Sequence, residues 1–174
     1  MNIGEALESE HSKSNSLRIA AFVGADQQRF QVLMKHLFGD DVRIAQRAAW
    51  VVPFVVANHP QLIGPYVSKL VNLLGKDGLH DAVKRNTLRI LQDIEIPKRL
   101  HGKLYSHCVD LVGDISEPAA IRAFALTVAA RIAKDQPALQ HELYVIVSTI
   151  LPYASAAVHI RARDVLKWQK QTRE

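Results

Sequence analysis

Residues 41–78, DVRIAQRAAWVVPFVVANHPQLIGPYVSKLVNLLGKDG, read as two helices separated by a break at Asn58-His59-Pro60 and closed by Gly75-Lys76-Asp77-Gly78. The first helix is apolar from Ala48 to Ala57, a ten-residue run interrupted by Pro53. A bilayer crossing needs about 20 such residues, so this run belongs to a protein core instead. Pro53 removes one helical hydrogen bond and bends its helix. In the second helix Tyr66, Leu70, Leu73 and Leu74 recur at spacings of three and four, the helical period. Neither apolar stripe can be covered by its one partner. The stretch therefore calls for neighbours of the same kind.

Those neighbours are present on both sides. Gly39, Gly75, Gly113 and Pro152 each follow an apolar pair, at intervals of 36, 38 and 39 residues. Phe30, Tyr66, Leu104 and Leu143 fall in one column of that register, and Met34, Leu70, Cys108 and Val147 in another. The intervening helices align too, through Ala45-Gln46, Val83-Lys84, Ile121-Arg122 and Ile160-Arg161, then Trp50, Leu88, Leu126 and Val165. Two helices per unit of about 38 residues is the pattern of an α-solenoid, in which stacked repeats bury one another's apolar faces. No stretch alternates like a strand, and no Asn-Gly or Asp-Gly hairpin pair occurs. The expected class is all-α, with eight or nine helices.

The segment at 41–78 resembles a HEAT repeat. It has an acidic residue before a Val-Arg start, a proline within the first helix, and a Pro-x-Leu opening to the second. HDAVKRNTLRIL and EPAAIRAFALTVAARIA are similar to two further first helices, and AAVHIRARDVLKW to a closing unpaired one. The resemblance spans about residues 17–170 and implies a short solenoid of three to four helical pairs over 16–174. Residues 1–15, with little hydrophobic content beyond Ile3, Ala6 and Leu7, are expected to form a mobile tail. Two positions depart from the pattern: Gln46 stands where Lys84, Arg122 and Arg161 stand in the other units, and Thr87 replaces an alanine. Such repeats serve many functions, so the resemblance speaks to fold and not to chemistry.

Composition narrows the remaining possibilities. The chain has 174 residues, 48% of them apolar and 22% charged, which suits one folded domain with a real core. The lone Cys108 cannot form an internal disulfide, and its core column makes it a small buried hydrophobe rather than a nucleophile. The acidic N-terminus lacks a secretory pattern, so a cytoplasmic setting is expected. The net charge of +5 raises the question of nucleic acid. A phosphate-tracking surface wants cations interleaved with aromatics. Arg43, Arg47, Arg85, Arg89, Arg131, Lys134, Arg163 and Lys167 lie on first helices with few aromatics beyond Trp50 and Trp168. The column Lys84, Arg122 and Arg161 is expected, from the resemblance, to pair with acidic groups of neighbouring units.

The second helices of a solenoid line the surface that extended partners use. Projection at 100° per residue places Lys69, Asn72, Lys103, His107 and Asp110 away from the apolar stripes, and these are the expected contacts of a protein or peptide. The column His36, Asn72, Asp110 and Thr149 is polar in all four units. The same projection turns Val145 and Ile146 outward, and Val32 and Leu33 likewise, suggesting an interface.

Catalytic motifs are scarce. His141-Glu142 begins a zinc-protease HExxH, but Val145 stands at the second ligand position. His101 and His107 are six apart and point in different directions. One HEAT-like family removes alkylated bases from DNA with a groove acid flanked by aromatics, and Asp110 with Tyr105 or Tyr153 is a thin match. The reading is a non-catalytic scaffold or adaptor without cofactor or metal. A nucleic-acid-binding module stands second and a repair enzyme last; oligomeric state stays open.

Overall fold

The computed structural model describes the backbone of residues 1–171 and the side chains of 1–168. Among the described residues it is all-α, an α-solenoid of paired helices, with ten α-helices and no strand. They are α1 (Ile3–Ser9), α2 (Lys13–Val23), α3 (Gln27–Leu37), α4 (Val42–Asn58), α5 (Val67–Leu74), α6 (Asp81–Leu91), α7 (His101–Gly113), α8 (Ala119–Ala133), α9 (Pro137–Ile150) and α10 (Ala156–Gln171). Short 3₁₀ turns at Pro60–Leu62, Gly64–Tyr66, Lys98–Leu100 and Leu151–Tyr153 lead into or follow second helices. The even-numbered helices from α2 to α10 are the first helices of the repeat, and α3, α5, α7 and α9 the second.

Local chemistry explains most of the boundaries. Asp26 and Asp41 accept hydrogen bonds at 3.0 Å from the Arg29 and Ile44 amides, capping α3 and α4. Pro60 and Pro137 occupy first-turn positions, where a missing amide costs little. Pro97 and Pro118 sit one residue earlier, as N-caps. Helix α4 runs on through Pro53 to Asn58. Of the glycines that mark the period, none adopts a positive φ; Gly24 and Gly78 do, at 51° and 68°. Gly39 has little room for a side chain instead, because a Cβ there would lie 3.3 Å from the Lys35 carbonyl oxygen.

The chain forms two compact units, Met1–Ile90 and the part from Leu91 onward. In the first, Leu7, Ile19, Phe30, Leu33, Met34 and Leu70 are fully buried. Each such side chain contributes about 1.5–3 kcal/mol through burial. Phe30 meets the Tyr66 ring edge-on at 5.7 Å. In the second, Leu104, Cys108, Ile121, Leu126 and Leu143 fill the same role, where α8 packs on α7, α9 and α10.

Two expectations about the first unit are corrected. Residues 1–15 are not a mobile tail: α1 packs on α2, α3 and α4 with Ile3, Ala6 and Leu7 buried. Asn2 caps its start, accepting from the Gly4 amide at 2.9 Å. Its carboxyl end would leave carbonyls without partners, and side chains from later helices satisfy them. Arg47 of α4 donates to the Leu7 and Glu8 carbonyls at 2.6 and 2.8 Å, and Asn15 donates to those of Ala6 and Glu10. Leu33 is likewise not outward. It is completely buried within the α3 stripe Phe30, Leu33, Met34 and Leu37, while its neighbour Val32 is exposed.

Candidate functional site

Helix α7 carries Lys103, His107 and Asp110 at spacings of four and three, which puts them on one face. Lys103 and Asp110 are exposed and His107 is half-buried. The His107 Nε2 is buried and has no hydrogen-bond partner among the described residues. Burial, and then the Lys103 charge, lower the His107 pKa from 6.5, with Asp110 opposing. His107 is therefore a neutral imidazole at pH 7. Helix α9, which packs on α7, carries Val145, 48% exposed, and Ile146, half-buried. Five of the seven expected contact residues thus lie on two packed helices of one unit. Lys69 and Asn72 lie on α5 of the other unit, both exposed, with the Lys69 ammonium 5.9 Å from the Phe38 ring centre.

The polar column is less uniform than its spacing. His36 is half-buried, close enough to α1 that a Cβ on Gly4 would lie 3.2 Å from the ring. Thr149 donates to the Val145 carbonyl at 2.9 Å, a bond within α9. Tyr105 does not flank Asp110 in a groove. It is buried, and its hydroxyl donates to the Leu139 carbonyl at 2.9 Å. Burial and the nearby Glu142 carboxylate push the phenol pKa up. Tyr153 is 82% exposed. Cys108 is fully buried, and burial raises its thiol pKa. Among the described residues no three His, Cys, Asp or Glu side chains gather as metal ligands would. No helix among them is long and apolar enough to cross a membrane.

Several arginines have structural assignments. Arg122, in the column expected to meet acidic groups, is 5% exposed and directs Nε to the Val112 carbonyl at 3.1 Å. Its Nη2 is buried without a hydrogen-bond partner among the described residues. Lys84 pairs with Asp81 of its own helix at 3.5 Å, and Arg161 is exposed. Arg131 donates to the carbonyls of Leu91, Gln92 and Ile94, binding the carboxyl end of α6 and the turn after it. Arg47 does the same for α1. Arg89 lies over Phe54 at 5.8 Å. Arg47, Arg89, Arg122 and Arg131 are thus engaged in holding helices together.

One concavity was not singled out by the residue pattern. It is an open groove of about 820 Å³ between α8 and α10, larger than two clefts of about 190 Å³ and 240 Å³. Helix α8 lines it with Ala120, Ala123, Phe124, Thr127, Ala130, Arg131 and Lys134, and α10 with Ala157, Ile160, Arg161, Asp164 and Trp168. Both sets repeat at three and four, so each is one stripe of a helix. Ile160 is 58% exposed. The available signal was the alanines on first helices, legible as close-packing residues; between α8 and α10 they also leave a trough.

A family model described as HEAT repeat domain matches residues 3–169, beginning at α1 and reaching into α10. No curated protein and no solved structure matches the chain. The match spans nearly the whole length and agrees with alternating helices whose breaks recur every 36 to 39 residues. The chain belongs to the HEAT repeat family, helical scaffolds that generally mediate protein interactions.

Proposed function

We propose that this protein is a non-catalytic adaptor that holds a protein or peptide partner, with the α7/α9 face as a contact surface. Exposed Val145, in the middle of α9, carries the reading. A large aliphatic side chain gains nothing from water there, and a partner that covers it recovers its burial energy. Lys103, His107 and Asp110 on the packed neighbour α7 supply a positive charge, a neutral imidazole and a carboxylate to orient that partner. In this reading Lys69 and Asn72 of α5 are contacts of the same kind within the first unit. The buried and raised states of Tyr105 and Cys108 support a structural role for both.

The test is affinity capture from native, nuclease-treated lysate with wild type, Val145→Asp and a Lys69/Lys103 charge reversal. The expected outcome is a salt-tolerant protein partner that wild type retains and Val145→Asp loses. Equal capture by all three chains removes the α7/α9 face from the reading. Binding to arbitrary DNA that weakens steeply with salt establishes the nucleic-acid alternative instead.

A further inference from the structure

The α8/α10 groove has a definite chemical character. Most of its lining is apolar: alanine methyls, the Phe124 ring, the exposed Ile160 side chain and Trp168. Its charged members are Arg131, Lys134, Arg161 and Asp164. Asp164 is paired with Lys167, which donates to it at 2.7 Å and holds its carboxyl pKa below the usual range. Lys134 and Arg161 form no ion pair among the described residues. The lining is therefore mostly apolar and, at Lys134 and Arg161, cationic.

Length and shape constrain the occupant. Along α8 the lining runs from Ala120 to Lys134, about 21 Å at 1.5 Å per residue. A helix of three to four turns matches that span. Its side chains at i, i+3, i+4 and i+7 form a stripe that seats between two neighbouring helices. A nucleic-acid strand fits less well: most of the lining is apolar, and with Arg131 held by backbone carbonyls only Lys134 and Arg161 are lining cations without a partner among the described residues.

We infer that the α8/α10 groove docks an acidic amphipathic helix of a partner protein. Its apolar stripe lies over Ala123, Phe124 and Ile160, and its carboxylates face Lys134 and Arg161. The inference rests on the protein-binding reading above but uses a different surface, so the two fail separately. It places a second contact on the first-helix side, where the alanine-rich stripes keep the trough open.

The experiment is selection of a displayed library of random 16-residue peptides against the full chain. Selected peptides are then measured by fluorescence anisotropy against four chains: wild type, Ile160→Asp, a Lys134→Glu/Arg161→Glu double variant and Val145→Asp. Ile160 is exposed, so its substitution leaves the fold intact, which circular dichroism and thermal melting verify. The expected peptides carry apolar residues at helical spacing with Asp or Glu between them. Their affinity falls about tenfold or more in Ile160→Asp, as at a central interface residue. It falls by a smaller factor in the double reversal and is unchanged in Val145→Asp.

Peptides lost only with Val145→Asp overturn this inference and leave the adaptor reading standing. An empty selection, peptides without acidic residues, or affinities indifferent to Ile160→Asp overturn it too. So does salt-sensitive binding of an oligonucleotide that depends on Lys134 and Arg161. If light scattering shows wild type to be a dimer and Ile160→Asp a monomer, the occupant is a second copy and the inference also falls.

Discussion

The two units treat their first helices differently. In the first, α2 and α4 share a short acidic helix, α1, which buries Ile3, Ala6 and Leu7 and has its carbonyls held by Arg47. In the second, α8 and α10 pack on each other and leave a trough, with Ile160 exposed and Lys134 and Arg161 in its lining. The contrast follows from where helix ends fall. Arg47 finds the end of α1 within reach and Arg131 the end of α6, whereas Lys134 and Arg161 form no ion pair among the described residues. An arginine that meets a free helix end becomes structure. One that does not stays available to a partner.

The contrast is broken most directly at Leu7. Leu7→Ala removes a fully buried side chain, and the expected loss is about 2–5 kcal/mol in chemical denaturation. A loss near zero means that α1 contributes little and that the first unit resembles the second. Next come the two arginines. Each donates charge-assisted bonds to carbonyls, worth about 1.5–3 kcal/mol where buried. Arg47→Ala is expected to cost about 2 kcal/mol, and Arg131→Ala about 1 kcal/mol because its site is more open to water. Equal losses erase the distinction. Ile160→Asp, by contrast, is expected to change stability by less than about 0.5 kcal/mol, as exposed substitutions do.

Two smaller effects sharpen the picture of the second unit. In the native protein at mildly alkaline pH, Cys108 is expected not to react with a thiol-specific reagent, because burial keeps it protonated. In denaturant the single thiol titrates fully, and reactivity under native conditions sinks the core assignment. His107 supplies a pH signal. Its folded pKa lies below 6.5, so below that pH the unfolded chain binds the extra proton more readily. Stability therefore rises with pH across this window and is lost as pH falls from 6.5 through the folded value. His107→Gln is expected to flatten part of that slope, read from urea midpoints on either side of pH 6.5.

Most of the helix pattern was legible in the residues. Breaks at 39, 75, 113 and 152 fall within two residues of the ends of α3, α5, α7 and α9, because each helix stops where its apolar stripe stops. Asp41 announces the start of α4 by its capping chemistry. Helix α1 was not legible. Three apolar residues are too few to show a period, and the groups that fix its end, Asn15 and Arg47, lie 9 and 40 residues away. Leu33 was misplaced by projection alone, since Phe30 and Leu37 include it in their stripe.

By itself the amino-acid order determined an all-α chain with a repeat near 38 residues, since apolar spacing and breaker residues are local properties. It also determined that Cys108, Leu104 and Leu126 are core, through their columns. Tertiary structure decided which charges remain available. Whether an arginine is spent depends on carbonyls brought near by folding, as at Arg47, Arg122 and Arg131. It also decided where the concavity lies. A trough between α8 and α10 is a property of two surfaces meeting, and neither stripe of alanines specifies it alone.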